Sequence, residues 1–199
     1  KQRIGERIHN TVVHSSVAIA GLGGLGSNIA MYLARAGVGH LHLVDFDKVD
    51  ITNLNRQQYD IADLGTLKTD ALTKNIKRFN PFIEITSQCV KVNEDNAAEI
   101  FGGYKIVCEA FDKAENKAML VNSILSECGD TKIVSGSGMA GFGSSNTIVT
   151  RKINERFYLC GDTKSDMNDG LALVAPRVAI CAAHEANMIL RLLIGEKEV

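Results

Sequence analysis

Residues 17–45 run strand, glycine turn, helix, strand, and few folds accept that order. Val17-Ala18-Ile19-Ala20 is a short apolar run that stops at Gly21-Leu22-Gly23-Gly24-Leu25-Gly26. Leu25 to Ala36 then carries helical spacing, and His40-Leu41-His42-Leu43-Val44 alternates and halts at Asp45. This is a βαβ unit with the G-x-G-x-x-G spacing at its first turn. Glycines there permit a tight bend and close backbone approach, and the helix start offers unpaired N–H groups to phosphate. The spacing alone is a weak signal. With Asp45 nineteen residues after Gly26, placed to accept hydrogen bonds from ribose hydroxyls, it predicts nucleotide binding.

The same grammar continues. A helix is predicted from about Leu67 to Phe79, ending before Asn80-Pro81. Strands follow over Ile83–Val90, Lys105–Glu109 and Lys132–Ser135, with a helix over Ala114–Cys128 between the last two. Alternation of this kind implies an α/β fold, a mostly parallel sheet with helices on both faces. Beyond Gly136 the pattern changes. Residues 136–146 are rich in glycine and serine, and the closely spaced strands Thr147–Thr150 and Arg156–Cys160 predict a C-terminal antiparallel extension. Gly161–Gly170 reads as an exposed loop, and Pro176 to about Gly195 as a buried C-terminal helix. No repeat or linker divides the chain, so residues 1–199 are expected to form one domain.

Composition narrows the function classes. A net charge of −1 gives no general attraction to nucleic acid or anionic lipid. No apolar run is long enough to span a membrane, and the N-terminus lacks a signal-peptide layout, so a cytoplasmic protein is expected. The five cysteines, Cys89, Cys108, Cys128, Cys160 and Cys181, are scattered without a C-x-x-C pair. Buried reduced thiols are expected for most of them, and no zinc site.

Two nucleotides compete for the glycine turn. A dinucleotide such as NAD needs little beyond backbone N–H groups and a helix end. ATP carries its charge in a triphosphate tail and wants fixed cations with a magnesium ligand. Candidates stand at successive strand ends: Asp47, the run Asn53-Leu54-Asn55-Arg56-Gln57, Lys68 at the next helix, and Asp112 after the fourth strand. An oxidoreductase reading leaves Arg56, Lys68 and Asp112 without a task.

These ordered motifs, with Asp45-Phe46-Asp47-Lys48-Val49-Asp50, Gly65-Thr66-Leu67-Lys68, Ala110-Phe111-Asp112, Val134-Ser135-Gly136 and Ala175-Pro176, resemble the ThiF/MoeB/HesA family, relatives of ubiquitin-activating enzymes. The resemblance covers nearly the whole chain and looks nearest to the short ThiF-like branch linked to thiamine biosynthesis. It implies a Rossmann-like nucleotide fold and a nucleotidyltransferase. Such an enzyme uses ATP and Mg²⁺ to adenylate the C-terminal glycine carboxylate of a ubiquitin-like sulfur carrier of the ThiS kind. By the same resemblance, Gly21, Gly23, Gly24 and Gly26 bend around the phosphates and Asp45 holds the ribose. Asn53, Arg56 and Lys68 meet the phosphates, Asp112 ligates Mg²⁺, and Asp47 and Gln57 match motif positions. Siblings that adenylate a MoaD-like carrier or a tRNA-modified adenosine remain open.

The chain also departs from that pattern. Relatives with zinc carry two C-x-x-C pairs, and those with a reactive cysteine place it before the last helix. Here the second half holds only Cys160 near that stretch, and residues 165–170 hold none. Sulfur is therefore expected to come from another protein, with Cys160 a weaker candidate. Relatives are homodimers whose N-terminal arginine reaches the partner's site. Arg3 and Arg7 are the candidates here, and residues 136–150 the expected interface. Arg177 and His184 are expected to be a satisfied helix-packing pair.

Overall fold

The computed structural model describes residues 5–199, apart from the side chain of Asn168. Its elements run α1 (Glu6–Val13), β1 (Ser16–Ala20), α2 (Gly24–Ala36), β2 (His40–Val44), α3 (Lys68–Lys77), β3 (Glu84–Gln88), α4 (Glu94–Phe101), β4 (Ile106–Glu109), α5 (Ala114–Glu127), β5 (Lys132–Gly136), β6 (Val149–Lys152), β7 (Phe157–Gly161) and α6 (Ala175–Leu193). The seven strands form one sheet in the order β3-β2-β1-β4-β5-β7-β6. All neighbours are parallel except β6 with β7.

Period-two alternation explains both covered faces. On β1, Val17 and Ile19 join Leu41 and Leu43 of β2 in a core with α2, α3 and α6. Ala18 and Ala20 point the other way, into a core with α4 and α5 that includes Phe101 and Leu120. Every one of these strand residues is fully buried, as a parallel sheet with two helical layers requires. Helix α2 ends where Gly37 takes a left-handed φ of 91°, a conformation that favours glycine.

The expected hairpin is present, its first strand displaced by two residues and its second by one, and it is attached in an unexpected way. Thr147 belongs to a short 3-10 turn, Ser145–Thr147, and β6 begins at Val149. It is β7 that pairs with β5, in parallel, so the first hairpin strand lies at the sheet edge. Two helices were not foreseen, α1 and α4. Helix α4 had a readable start, since Asn93 caps it reciprocally with Asn96 and Ala97 and Phe101 share its buried face.

Strand order places the site. The chain runs outward from β1 through β2 to β3, then returns to the other side of β1 with β4. The carboxyl ends of β1 and β4 therefore diverge into a crevice, the usual ligand position in open α/β sheets.

Candidate active site

A cleft of about 720 Å³ opens at that point, within the range of small-molecule sites. The glycine turn forms its back. Gly21 has a φ of 90°, and a Cβ there would lie 2.8 Å from the carbonyl oxygen of Ala110. Helix α2 begins at Gly24 with no side-chain cap, so its first N–H groups face the opening. Gly21, Gly23 and Gly24 line the cleft. Gly26 differs from expectation: it is absent from the lining, and a Cβ there would fall 1.8 Å from Gly21 O. It lets the helix pack on the turn.

Asp45 follows β2 and is nearly buried. Its Oδ2 accepts the Leu22 N–H at 2.6 Å and its Oδ1 the Asp47 N–H at 2.7 Å. Burial raises its pKa, an effect that Lys68 and the two backbone donors partly offset. A carboxylate has further lone pairs, so two bonds leave room for ribose hydroxyls. Asp47 is exposed and pairs with Lys68 Nζ at 2.8 Å. Lys68 is the first residue of α3, held there by its N–H to Asp47 O and by the Lys48–Leu67 bridge.

The segment carrying Asn53, Arg56 and Gln57 has little regular structure yet is tightly tied. Asn28 Nδ2 donates to the Arg56 carbonyl at 3.0 Å, Ser27 Oγ accepts the Gln58 N–H at 3.1 Å, and Tyr59 donates to the Leu22 carbonyl at 2.8 Å. Side chains of α2 thus fix this loop against the glycine turn. Asn53 Oδ1 accepts the Asp50 N–H. Arg56 Nη1 donates to Thr52 O and Asn55 Oδ1, while its Nε is buried without a partner, as is Gln57 Oε1. Orphaned buried polar atoms are uncommon in folded proteins. With Ser165 Oγ, three of them belong to cleft-lining residues, which fits a polar ligand there.

Asp112 stands exposed on the β4 side of the same opening. Asp45, Asp47, Asn53, Arg56, Gln57, Lys68 and Asp112 therefore share one cleft with three of the four glycines. Among the described residues, no group of three or more His, Cys, Asp or Glu side chains is placed to hold a metal ion. Arg7 lies on α1, and Arg3 falls outside the described residues.

Sequence reasoning missed several lining residues. Phe46, Phe111, Val90 and Val92 supply apolar wall, and Lys113 and Lys117 supply cations on the β4 side. Lys117 had no decisive signal in the sequence: a lysine in the first turns of a helix opposes the helix field by only about 0.3–1 kcal/mol and names no partner.

The remaining expectations divide. Arg177 and His184 do not form a pair; each has other partners, and the Arg177 Nε is buried without one. Arg177 donates to Gly143 O, Ser144 O and Asp162 Oδ2, the last at 2.5 Å, whereas His184 Nδ1 meets Thr150 Oγ1 at 3.0 Å. Residues 161–170 are not simply an exposed loop. Asp162 Oδ1 accepts the Lys164 and Ser165 N–H groups, and Ser165, Asp166 and Met167 line the cleft. Four cysteines are buried and only Cys89 is exposed. Burial pushes the Cys160 thiol up to about 12, so it does not supply a thiolate at neutral pH.

The whole chain, residues 1–199, matches the ThiF family. The chain belongs to that family. A relative in Dictyostelium discoideum, the adenylyltransferase and sulfurtransferase MOCS3, is 32% identical over 98% of this chain and 47% of its own length. In Scheffersomyces stipitis the adenylyltransferase and sulfurtransferase UBA4 is 39% identical over 63% of this chain and 28% of its own. This ThiF-family chain thus spans less than half the length of those curated relatives. Among solved structures, the Escherichia coli tRNA N6-threonylcarbamoyladenosine dehydratase TcdA in complex with ATP superposes with a TM-score of 0.87 at 22% identity, covering 97% of this chain and 91% of that one. E. coli MccB with ATP gives 0.73 at 20% identity, over 96% and 59%. These two likenesses establish the shared fold. No described helix is long and apolar enough to cross a membrane.

Proposed function

We propose that this ThiF-family chain is an adenylyltransferase that uses ATP to activate the C-terminal glycine carboxylate of a ubiquitin-like sulfur carrier. The observation carrying this reading is the grouping of Arg56, Lys68 and Asp112 with an uncapped helix start in one cleft. The names of the curated relatives, adenylyltransferase and sulfurtransferase, support it.

The chemistry follows from charge. The acceptor carboxylate is ionised at neutral pH and attacks the α-phosphorus. The new bond joins carboxylate oxygen to phosphorus, the bond to the bridging oxygen breaks, and pyrophosphate leaves with the electron pair. No proton moves, so no general base is needed. The α2 N-terminus and Gly21–Gly24 backbone cradle the phosphates, Asp45 orients the ribose, and Phe46 and Phe111 shield the site. Arg56 and Lys68 stabilise charge on the leaving group, with Asn53 and Gln57 as polar contacts and Asp47 setting the Lys68 position. Asp112 offers the hard carboxylate oxygen that Mg²⁺ prefers, and a bound ion would neutralise pyrophosphate charge there.

Within this reading the carrier is of the thiamine-linked ThiS kind, the enzyme is cytoplasmic, and it works as a homodimer through residues 136–150. A carrier of another pathway, MoaD-like, would be activated by the same residues, and the relatives' paired naming fits it equally. A tRNA-modified adenosine is disfavoured by the near-neutral charge. Pyrophosphate exchange into ATP, with and without small carriers ending in Gly-Gly, tests the proposal. Carrier-dependent exchange supports it. Tight NAD binding with no exchange for any carrier would end it.

A further inference from the structure

Beneath the cleft lies a polar cluster that the mechanism above does not use. Glu109 closes β4 and is fully buried. Its carboxylate accepts three donors from three places. The Phe111 N–H reaches Oε1 at 2.7 Å, Ser135 Oγ reaches Oε2 at 2.5 Å, and Lys117 Nζ reaches Oε2 at 2.9 Å and Oε1 at 3.3 Å. One carboxylate therefore ties together the turn leading to Asp112, strand β5 and the first part of α5.

Lys117 faces two ways. Its ammonium pairs downward with Glu109, yet its side chain keeps 20% exposure and lines the cleft. An ammonium has three N–H donors, and the two oxygens of Glu109 use two of them. A buried ion pair rarely outperforms apolar packing of the same shape, so stability alone does not account for it. Its opening to the cleft does. Lys117 also stands apart from Arg56 and Lys68, and unlike its exposed neighbour Lys113 it is held in place by Glu109. Arg56 and Lys68 belong to the β1–β2 side, whereas Lys117, Glu109 and Ser135 sit between the ends of β4 and β5, beside the Gly136–Ala140 wall.

We propose that Lys117 is the acceptor-side cation of the cleft, contacting the incoming carboxylate and the acyl adenylate it becomes, and that Glu109 is its positioning residue. This rests on the adenylation reading. Carboxylate and α-phosphate repel each other, and a fixed cation beside the acceptor lowers that repulsion as the bond forms. Around Lys117, burial alone would lower its pKa, but the Glu109 carboxylate outweighs this and raises it, with Glu185 of α6 adding to the effect only where it is ionised. Glu185 itself is pushed up to about 8 by burial and is mostly neutral below that pH. The Cys108 thiol of β4, raised well above its ordinary value by burial, adds no charge.

The test compares ATP titration with carrier-dependent pyrophosphate exchange in the intact chain, Lys117→Met, Lys117→Arg and Glu109→Gln. Lys117→Met should hold ATP affinity within roughly threefold while exchange falls by about thirtyfold or more and the carrier KM rises. Lys117→Arg should recover much of the loss. In Glu109→Gln the lysine loses its anion, so burial draws its pKa down and exchange should fall as pH rises, where the unaltered chain holds its rate. Adding Lys117→Arg should remove that pH dependence, because a guanidinium does not deprotonate there. A merely structural Glu109 would lower the melting temperature without moving the profile. Normal exchange in Lys117→Met overturns the inference, as does loss of ATP binding in parallel with exchange. Absence of exchange in the unaltered chain with every carrier would sink the adenylation reading, and this inference with it.

Discussion

Replacing Lys68 by methionine keeps the stem of the side chain and removes its charge, which separates the role of that charge from the packing around it. Lys68 is 7% exposed at the first residue of α3 and pairs with Asp47, itself half exposed, at 2.8 Å. A lysine contact to phosphate at ~4 Å with an effective dielectric of about 20 is worth roughly 4 kcal/mol before desolvation. Part of that is forgone because the ammonium is already paired with Asp47, leaving about 2–3 kcal/mol. At 1.36 kcal/mol per factor of ten, the expected fall in kcat/KM for exchange is about 30- to 150-fold. Stability should change little. The Asp47 carboxylate faces solvent, and half-exposed pairs contribute about 0–1 kcal/mol. The assay is carrier-dependent pyrophosphate exchange alongside thermal unfolding. Loss below about threefold with an unchanged melting temperature would refute the placement of Lys68 on the phosphates.

Gly26→Ala forces a Cβ to within 1.8 Å of Gly21 O, backbone that cannot yield locally, so it should cost about 3 kcal/mol or more and lower the melting temperature by about 6–12 °C. Gly24→Ala meets only the Val178 Cγ1 at 3.1 Å and Arg56 side-chain atoms, and calorimetry should find it much milder. Glu185 keeps its proton in the folded chain until about 8 and loses it unfolded near its ordinary 4.5. The folded state binds the extra proton between those values, so this group makes stability fall with rising pH by up to ~1.4 kcal/mol per pH unit. Urea unfolding across that window should show the decline flattened in Glu185→Gln; identical slopes would count against a buried neutral carboxyl. Native-state alkylation near neutral pH should label Cys89 alone, and Cys160→Ala should retain exchange, since Cys160 is fully buried with its thiol at about 12.

The glycine turn, Asp45 and the alternation of strands with helices were legible because each rests on short-range spacing. A period of two on Val17–Ala20 and a helical period on α2 leave a βαβ unit little alternative. Lys68 and Asp112 could be named for the same reason, each lying just beyond a strand or at a helix start. Gly26 was legible as a glycine requirement but not as to its purpose, since only the folded chain brings Gly21 O against it. Helix α4 was overlooked although its Asn93 cap and buried Ala97–Phe101 pair were in plain sight.

Sequence by itself determined the fold class and the family, because these rest on an ordered series of motifs, each of which closes within one or two elements. Tertiary structure alone decided which residues meet across the sheet. That β7 pairs with β5, that Asn28 and Tyr59 hold the Arg56 loop, and that Glu109 gathers Phe111, Lys117 and Ser135 all involve contacts between separated elements. Such contacts are set by strand order and burial. A carboxylate at the end of one strand finds its cation on a neighbouring helix only once both are out of water, and nothing in local spacing records that encounter.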